Sequence, residues 1–85
     1  MRANQGTLNI LSKLCTRLKE RDRIDGRLYG RVSSLHLDVG EYLSGAWRCT
    51  PERFQEALAE DLSVAKYLAR EIGMLDVAAI LEGLQ

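Results

Sequence analysis

Apolar side chains recur every three or four positions along almost the whole chain, the spacing that gathers them on one face of an α-helix. Leu8, Leu11, Cys15 and Leu18 form a first stripe, widened by Ile10 and Leu14, while Lys13, Arg17 and Glu20 fall on the other side. Thr7 follows Gly6 and suits an N-cap, so this pattern predicts a helix from about Thr7 to Asp22. Arg21-Asp22-Arg23 then reads as a charged turn, with Asp22 or Asp25 available to cap the next helix.

From Ile24 to Trp47 the apolar phase continues without interruption through Ile24, Leu28, Val32, Leu35, Val39, Tyr42, Leu43 and Ala46. That argues for one long helix, or for helices that nearly continue one another. Gly26, Gly30, Gly40 and Gly45 argue the other way, since an interior glycine costs roughly 1 kcal/mol relative to alanine. Ser33-Ser34 adds a place where a turn could form. Close approach of a second helix is the usual reason to tolerate such glycines. Only Leu35-His36-Leu37-Asp38-Val39 alternates with period two, too briefly for a strand reading.

Thr50-Pro51-Glu52 is the clearest punctuation. Threonine caps, proline takes the first helical position where its missing N–H costs nothing, and glutamate meets the positive end of the helix. The helix that starts there is expected to reach about Ile72, with Phe54, Ala57, Leu58, Ala65, Leu68, Ala69 and Ile72 as its apolar stripe and Asp61, Leu62 and Val64 at the margins. Gly73 suits the residue after a helix end. A last short helix, about Leu75 to Leu84, carries Asp76 in its first turn and Val77, Ala78, Ile80, Leu81 and Leu84 behind it. The expected fold class is therefore an all-α small helical bundle of three to five helices, one domain over residues 1–85. Helices near 24–47 and 51–72 would pack antiparallel, with the first helix along them.

Composition changes the picture in two ways. The chain has 85 residues, 46% of them hydrophobic. That is a rich apolar supply for a core whose size allows only about 3–5 kcal/mol of stability. Some apolar surface is thus expected to be buried against a partner, most simply a second copy, as a homodimer. Net charge is zero but unevenly placed: residues 1–31 hold eight basic and three acidic residues, net +5, and residues 32–85 are net −5. Such asymmetry suits either halves that complement each other in the fold or across a dimer, or a basic face for an acidic partner. No stretch approaches the roughly 20 apolar residues of a membrane span. The polar start Met1-Arg2-Ala3-Asn4-Gln5-Gly6 lacks a signal-peptide apolar run. Cys15 and Cys49 lack a disulfide-framework spacing, so two reduced thiols and a cytoplasmic setting are expected.

Catalytic chemistry finds little support in the sequence. The single histidine, His36, has no serine–aspartate or cysteine partner near it in sequence. Close Cys or His pairs of the kind a structural zinc needs are missing, and the glycines do not fall in a phosphate-loop pattern. Glu56, Glu60 and Asp61 read as the solvated face of a helix. No enzyme activity, cofactor or metal is expected. The aromatic supply points instead to protein contact. Tyr and Trp are frequent interface anchors, so Tyr29, Tyr42, Trp47 and its neighbour Arg48 are the candidate partner-binding residues. The leading expectation is a small regulatory or adaptor protein that binds another protein through its helices.

One constellation supports an alternative. Leu28-Tyr29-Gly30-Arg31-Val32-Ser33-Ser34, then Val39-Gly40-Glu41-Tyr42-Leu43-Ser44-Gly45, then Pro51-Glu52-Arg53 resembles, over residues 28–53, the helix-turn-helix of Cro-like phage repressors. The resemblance implies a DNA-binding transcriptional regulator with a break near Ser33-Ser34. It also implies a basic face from the candidate nucleic-acid residues Arg21, Arg23, Arg27 and Arg31, extended by Arg48. The would-be recognition helix, about Leu35 to Leu43, departs from this by carrying Asp38 and Glu41 and neither Arg nor Lys.

Overall fold

The computed structural model describes residues 1–21 and 26–84, without the side chain of Arg21. Four α-helices follow one another: α1 (Gln5–Arg21), α2 (Arg27–Ser44), α3 (Pro51–Glu71) and α4 (Leu75–Gly83), with no strand among the described residues. The fold is thus a small all-α bundle.

The helix ends follow from local chemistry. Asn4, not Thr7, caps α1: its Oδ1 accepts the Thr7 backbone N–H at 2.8 Å, and Thr7 is buried in the first turn. Thr50 caps α3 as its sequence context predicts, its hydroxyl accepting the Arg53 N–H at 3.1 Å with Pro51 just inside the helix. At the far end of α2, Gly45 takes φ +80°. The N–H of Ala46 then reaches the Glu41 carbonyl at 2.8 Å, and that of Gly45 reaches Tyr42 at 3.2 Å. Gly73 closes α3 in the same way at φ +79°, with Met74 N–H on the Ala69 carbonyl at 2.9 Å. A left-handed residue satisfies the last carbonyls and turns the chain back sharply, which glycine does without steric cost. Met74, just past this turn, packs on the core. The expected caps Asp22 and Asp25 lie outside the described residues.

Within the segment left open by the sequence, the described residues hold one helix, which ends at Ser44 rather than near Trp47. α2 runs through Ser33 and Ser34 without the turn that the repressor resemblance implies. Two of its four glycines sit at its ends, Gly26 and Gly45, both at positive φ. Gly40 lies against the Leu8 side chain, whose Cδ1 would be 3.8 Å from an added Cβ, whereas nothing lies within 4 Å of such an atom at Gly30. Close approach therefore accounts for one interior glycine only.

Leu11, Leu14 and Leu18 of α1 meet Leu28, Val32, Leu35 and Val39 of α2, Phe54, Leu58, Leu62, Ala65 and Ala69 of α3, and Val77, Ala78 and Leu81 of α4 in one continuous core. α1 packs on α2, α2 on α3 and α3 on α4. Tyr42 stacks on Phe54 and Arg31 pairs with Asp61, so α2 and α3 run antiparallel, as expected. α4 is tied back to α1 by Arg17–Asp76 and to α3 by Arg70–Glu82. Three stripe assignments need correction. Leu62, expected at the margin of α3, belongs to the core, while Ile72 is 47% exposed. Ile72 follows the last residue of α3, where the helical phase that would carry the stripe onward ends at the Gly73 turn. Ile10 is likewise exposed, because the buried row of α1 is Leu11-Leu14-Leu18, which leaves Ile10 on the flank.

Candidate interaction surfaces

The α2–α3 corner concentrates aromatic surface. Phe54, on the first turn of α3, is 1% exposed. Tyr42, near the end of α2, stacks on it with ring centroids 4.3 Å apart, and Trp47 meets it edge-on at 5.1 Å. These are preferred aromatic geometries. The turn at Gly45 brings them together: it reverses the chain so that residues just after α2 return over the first turn of α3. The Trp47 indole N–H donates to the Thr50 carbonyl at 3.3 Å and its backbone N–H to Glu41 at 3.2 Å. Trp47 therefore plugs the end of the core with its donor occupied. Tyr42 remains 41% exposed on top of this support, and so does Leu43 at 41%. Leu43 shares the side of Gly40, toward α1. Arg48 and Cys49, which follow Trp47 in sequence, are exposed.

Of the four residues singled out for protein contact, Tyr42 and Trp47 thus meet on Phe54, and Arg48 stands exposed next to Trp47 in sequence. Tyr29 does not. It lies near the opposite end of α2, half-buried against the core. Phe54, the ring that organises the corner, looks from the sequence like an ordinary core position. Periodicity puts Leu43 in the apolar row, although its neighbours Tyr42 and Ser44 show that the row is running out at the helix end.

The basic residues spread rather than gather. Arg27 and Arg31 sit at the start of α2, Arg48 lies beyond its other end, and α2 is about 27 Å long. Arg31 is held by Asp61 at 2.8 Å. Arg23 lies outside the described residues, as does the side chain of Arg21. Farther along the same seam Asp38 has its carboxyl pushed above the usual aspartate value, by burial first and then by the negative charges of Asp61 and Glu41. The α2–α3 seam therefore runs from a basic end to an acidic end. At the basic end lies a groove of about 450 Å³ lined by Arg27, Gly30, Arg31, Ser34, Val64 and Leu68.

Elsewhere the chemistry is sparse. Burial pushes the Cys15 thiol up, which makes it a poorer nucleophile, and both Cys15 and Cys49 are unpaired. Among the described residues no three His, Cys, Asp or Glu side chains come together as a metal site, and no helix is long and apolar enough to cross a membrane. A smaller apolar cleft between α1 and α4 is lined by Ile10, Lys13, Leu14, Arg17 and Ile80. Over the described residues the molecule is an all-α bundle of four helices, with an aromatic corner at one end of the α2–α3 seam and an arginine-lined groove at the other. No protein-family model, curated protein or solved structure matches the chain.

Proposed function

We propose that this is a small non-enzymatic regulatory or adaptor protein of the cytoplasm that works by helix-mediated binding to another protein, with the Tyr42–Leu43 corner as its docking point. The observation that carries this reading is that corner itself. An aromatic side chain stacked on a buried ring has already lost its rotamer freedom, so it can bury its exposed half at small entropic cost. Hot spots are typically such rigid aromatic anchors with apolar neighbours. The two free thiols fit a reducing compartment. The continuity of α2 through Ser33 and Ser34 favours this reading over the helix-turn-helix alternative.

The test is affinity capture from the native host with wild-type bait and with Leu43→Asp, each first checked for helical content by circular dichroism. A protein recovered by the wild type and lost with Leu43→Asp supports the reading. Recovery of nothing, or of duplex DNA released steeply by salt, overturns it, the latter in favour of the repressor-like alternative.

A further inference from the structure

The packing order of the helices is open: α1 lies on α2, α2 on α3 and α3 on α4, and α4 is joined to α1 by the Arg17–Asp76 pair. Apolar surface shows in the seam between α1 and α4. One cleft of about 380 Å³ has buried Leu14 at its floor, Ile10 and Ile80 at its walls, and Lys13 and Arg17 at its rim. A second, of about 540 Å³, continues past Ile10 toward Met1 and Leu84, beside Arg2. Ile10 borders both clefts and is 39% exposed, so the two form one run along the seam. Gly6, Ile10, Lys13 and Arg17 succeed one another at spacings of three and four and share one face of α1, about 17 Å long.

The charge of this groove is one-sided. Arg2, Lys13 and Arg17 line it, and no Asp or Glu does. Arg17 is held by Asp76, but Arg2 and Lys13 form no ion pair among the described residues. An apolar furrow edged by unpartnered cations fits an object that is apolar on one side and anionic at its margins. We infer that the α1–α4 groove receives an amphipathic helix of a partner protein, its apolar side chains spaced three and four apart and flanked by Asp or Glu. About three turns of such a helix match the length of the groove. Its apolar row covers Ile10, Leu14 and Ile80, and its carboxylates come beside Lys13 and Arg2. A second copy of the chain turned by a two-fold axis onto the same groove would set these cations against their own kind. Phosphates would gain nothing from the apolar floor, and a lone acyl chain would lie half in water in so open a furrow. A contact this short is at the small end of specific interfaces, so a Kd of about 10–100 µM is expected. The groove shares no lining residue with the Tyr42–Leu43 corner and does not depend on what docks there.

Fluorescence anisotropy with three labelled peptides of about 18 residues, long enough to hold a helix, tests it. One carries a row of leucines at helical spacing flanked by glutamates, the second carries the same leucines flanked by lysines, and the third is the glutamate peptide in scrambled order. The glutamate peptide should bind, and the other two should bind at least about tenfold more weakly. Lys13→Glu and Ile10→Asp both change exposed side chains, and circular dichroism verifies that the helices persist. Each should weaken the glutamate peptide about tenfold or more, whereas Leu43→Asp should leave it unchanged, so loss at the groove and loss at the corner report on separate surfaces. No saturable binding of the glutamate peptide below about 1 mM, equal binding of the lysine or scrambled peptide, or Lys13→Glu without effect would overturn the inference. So would phosphatidylglycerol vesicles that carry down the wild type but not Ile10→Asp, since they would make the groove a membrane-facing surface instead.

Discussion

Phe54 is the residue on which the corner stands, and replacing it by leucine separates ring stacking from simple burial. Its side chain is 1% exposed and meets two aromatic rings, Tyr42 at 4.3 Å and Trp47 at 5.1 Å. Leucine keeps most of the buried apolar area but loses both ring geometries, each worth about 0.5–1.5 kcal/mol beyond area. Phe54→Leu should therefore cost about 1–2 kcal/mol. In a chain of 85 residues that lowers Tm by about 5–15 °C, since 1 kcal/mol corresponds to about 4–8 °C in this size range. Phe54→Ala adds an empty volume and should cost about 3–5 kcal/mol, a large share of the stability of such a domain. Thermal melts followed by far-UV circular dichroism give the stability, and the near-UV signal of Trp47, the only tryptophan, reports the corner directly. The expected order is wild type, then leucine, then alanine, with the near-UV signal already diminished in Phe54→Leu. A leucine variant as stable as wild type, with an unchanged near-UV spectrum, would refute the claim that the rings support one another.

Local geometry sets four further outcomes. Thr50→Ala removes the acceptor of the Arg53 N–H and should cost about 1 kcal/mol by chemical denaturation, with Thr50→Ser close to wild type. Gly45→Ala forces alanine to φ +80° and should destabilise by about 1 kcal/mol, whereas Gly30→Ala fills open space inside a helix and should stabilise the folded monomer by up to about 1 kcal/mol. Asp38 binds its proton more tightly in the folded chain than in the unfolded one, where the ordinary value is 3.8, so its contribution is present in full below 3.8 and is lost as pH rises through the raised folded value. Asp38→Asn should therefore melt higher than wild type near neutral pH, and the two melts should converge near pH 3; a lower melt for Asp38→Asn near neutral pH would contradict the repulsion by Asp61 and Glu41. Under native conditions a thiol reagent should label exposed Cys49 well before half-buried Cys15, as mapped by mass spectrometry; equal rates would mean that α1 opens readily from α2.

Legibility in the sequence depends on the scale of the signal. The helices follow from periodicity, and Thr50-Pro51 marks a boundary because its residues act on their own backbone. Helix phase is harder to read. Leu62 and Ile72 both fit the α3 row within the tolerance of a three-or-four spacing, and only the turn at Gly73 decides that Ile72 is left outside. Asn4 displaces Thr7 as the cap for a similar reason. Two suitable residues stand three apart, and burying Thr7 under the first turn starts the helix earlier. The corner is half legible. Tyr42 and Trp47 stand close in sequence, but their meeting point, Phe54, lies across the reversal at Gly45.

The most informative residues are those that break the pattern. Leu28, Val32, Leu35 and Val39 define the buried row of α2, and Leu37 falls opposite it. An apolar residue out of phase with its own core is placed on the surface by sequence alone, and a protein with this much apolar residue to spare does not need it there for stability. The same logic applies to Glu41, which sits at the wrong end of α2 for the helix itself. Features that a helix would not choose for its own sake call for a cause outside it. In α2, Leu37 and Glu41 fall on one face, turned away from the row that packs on the core.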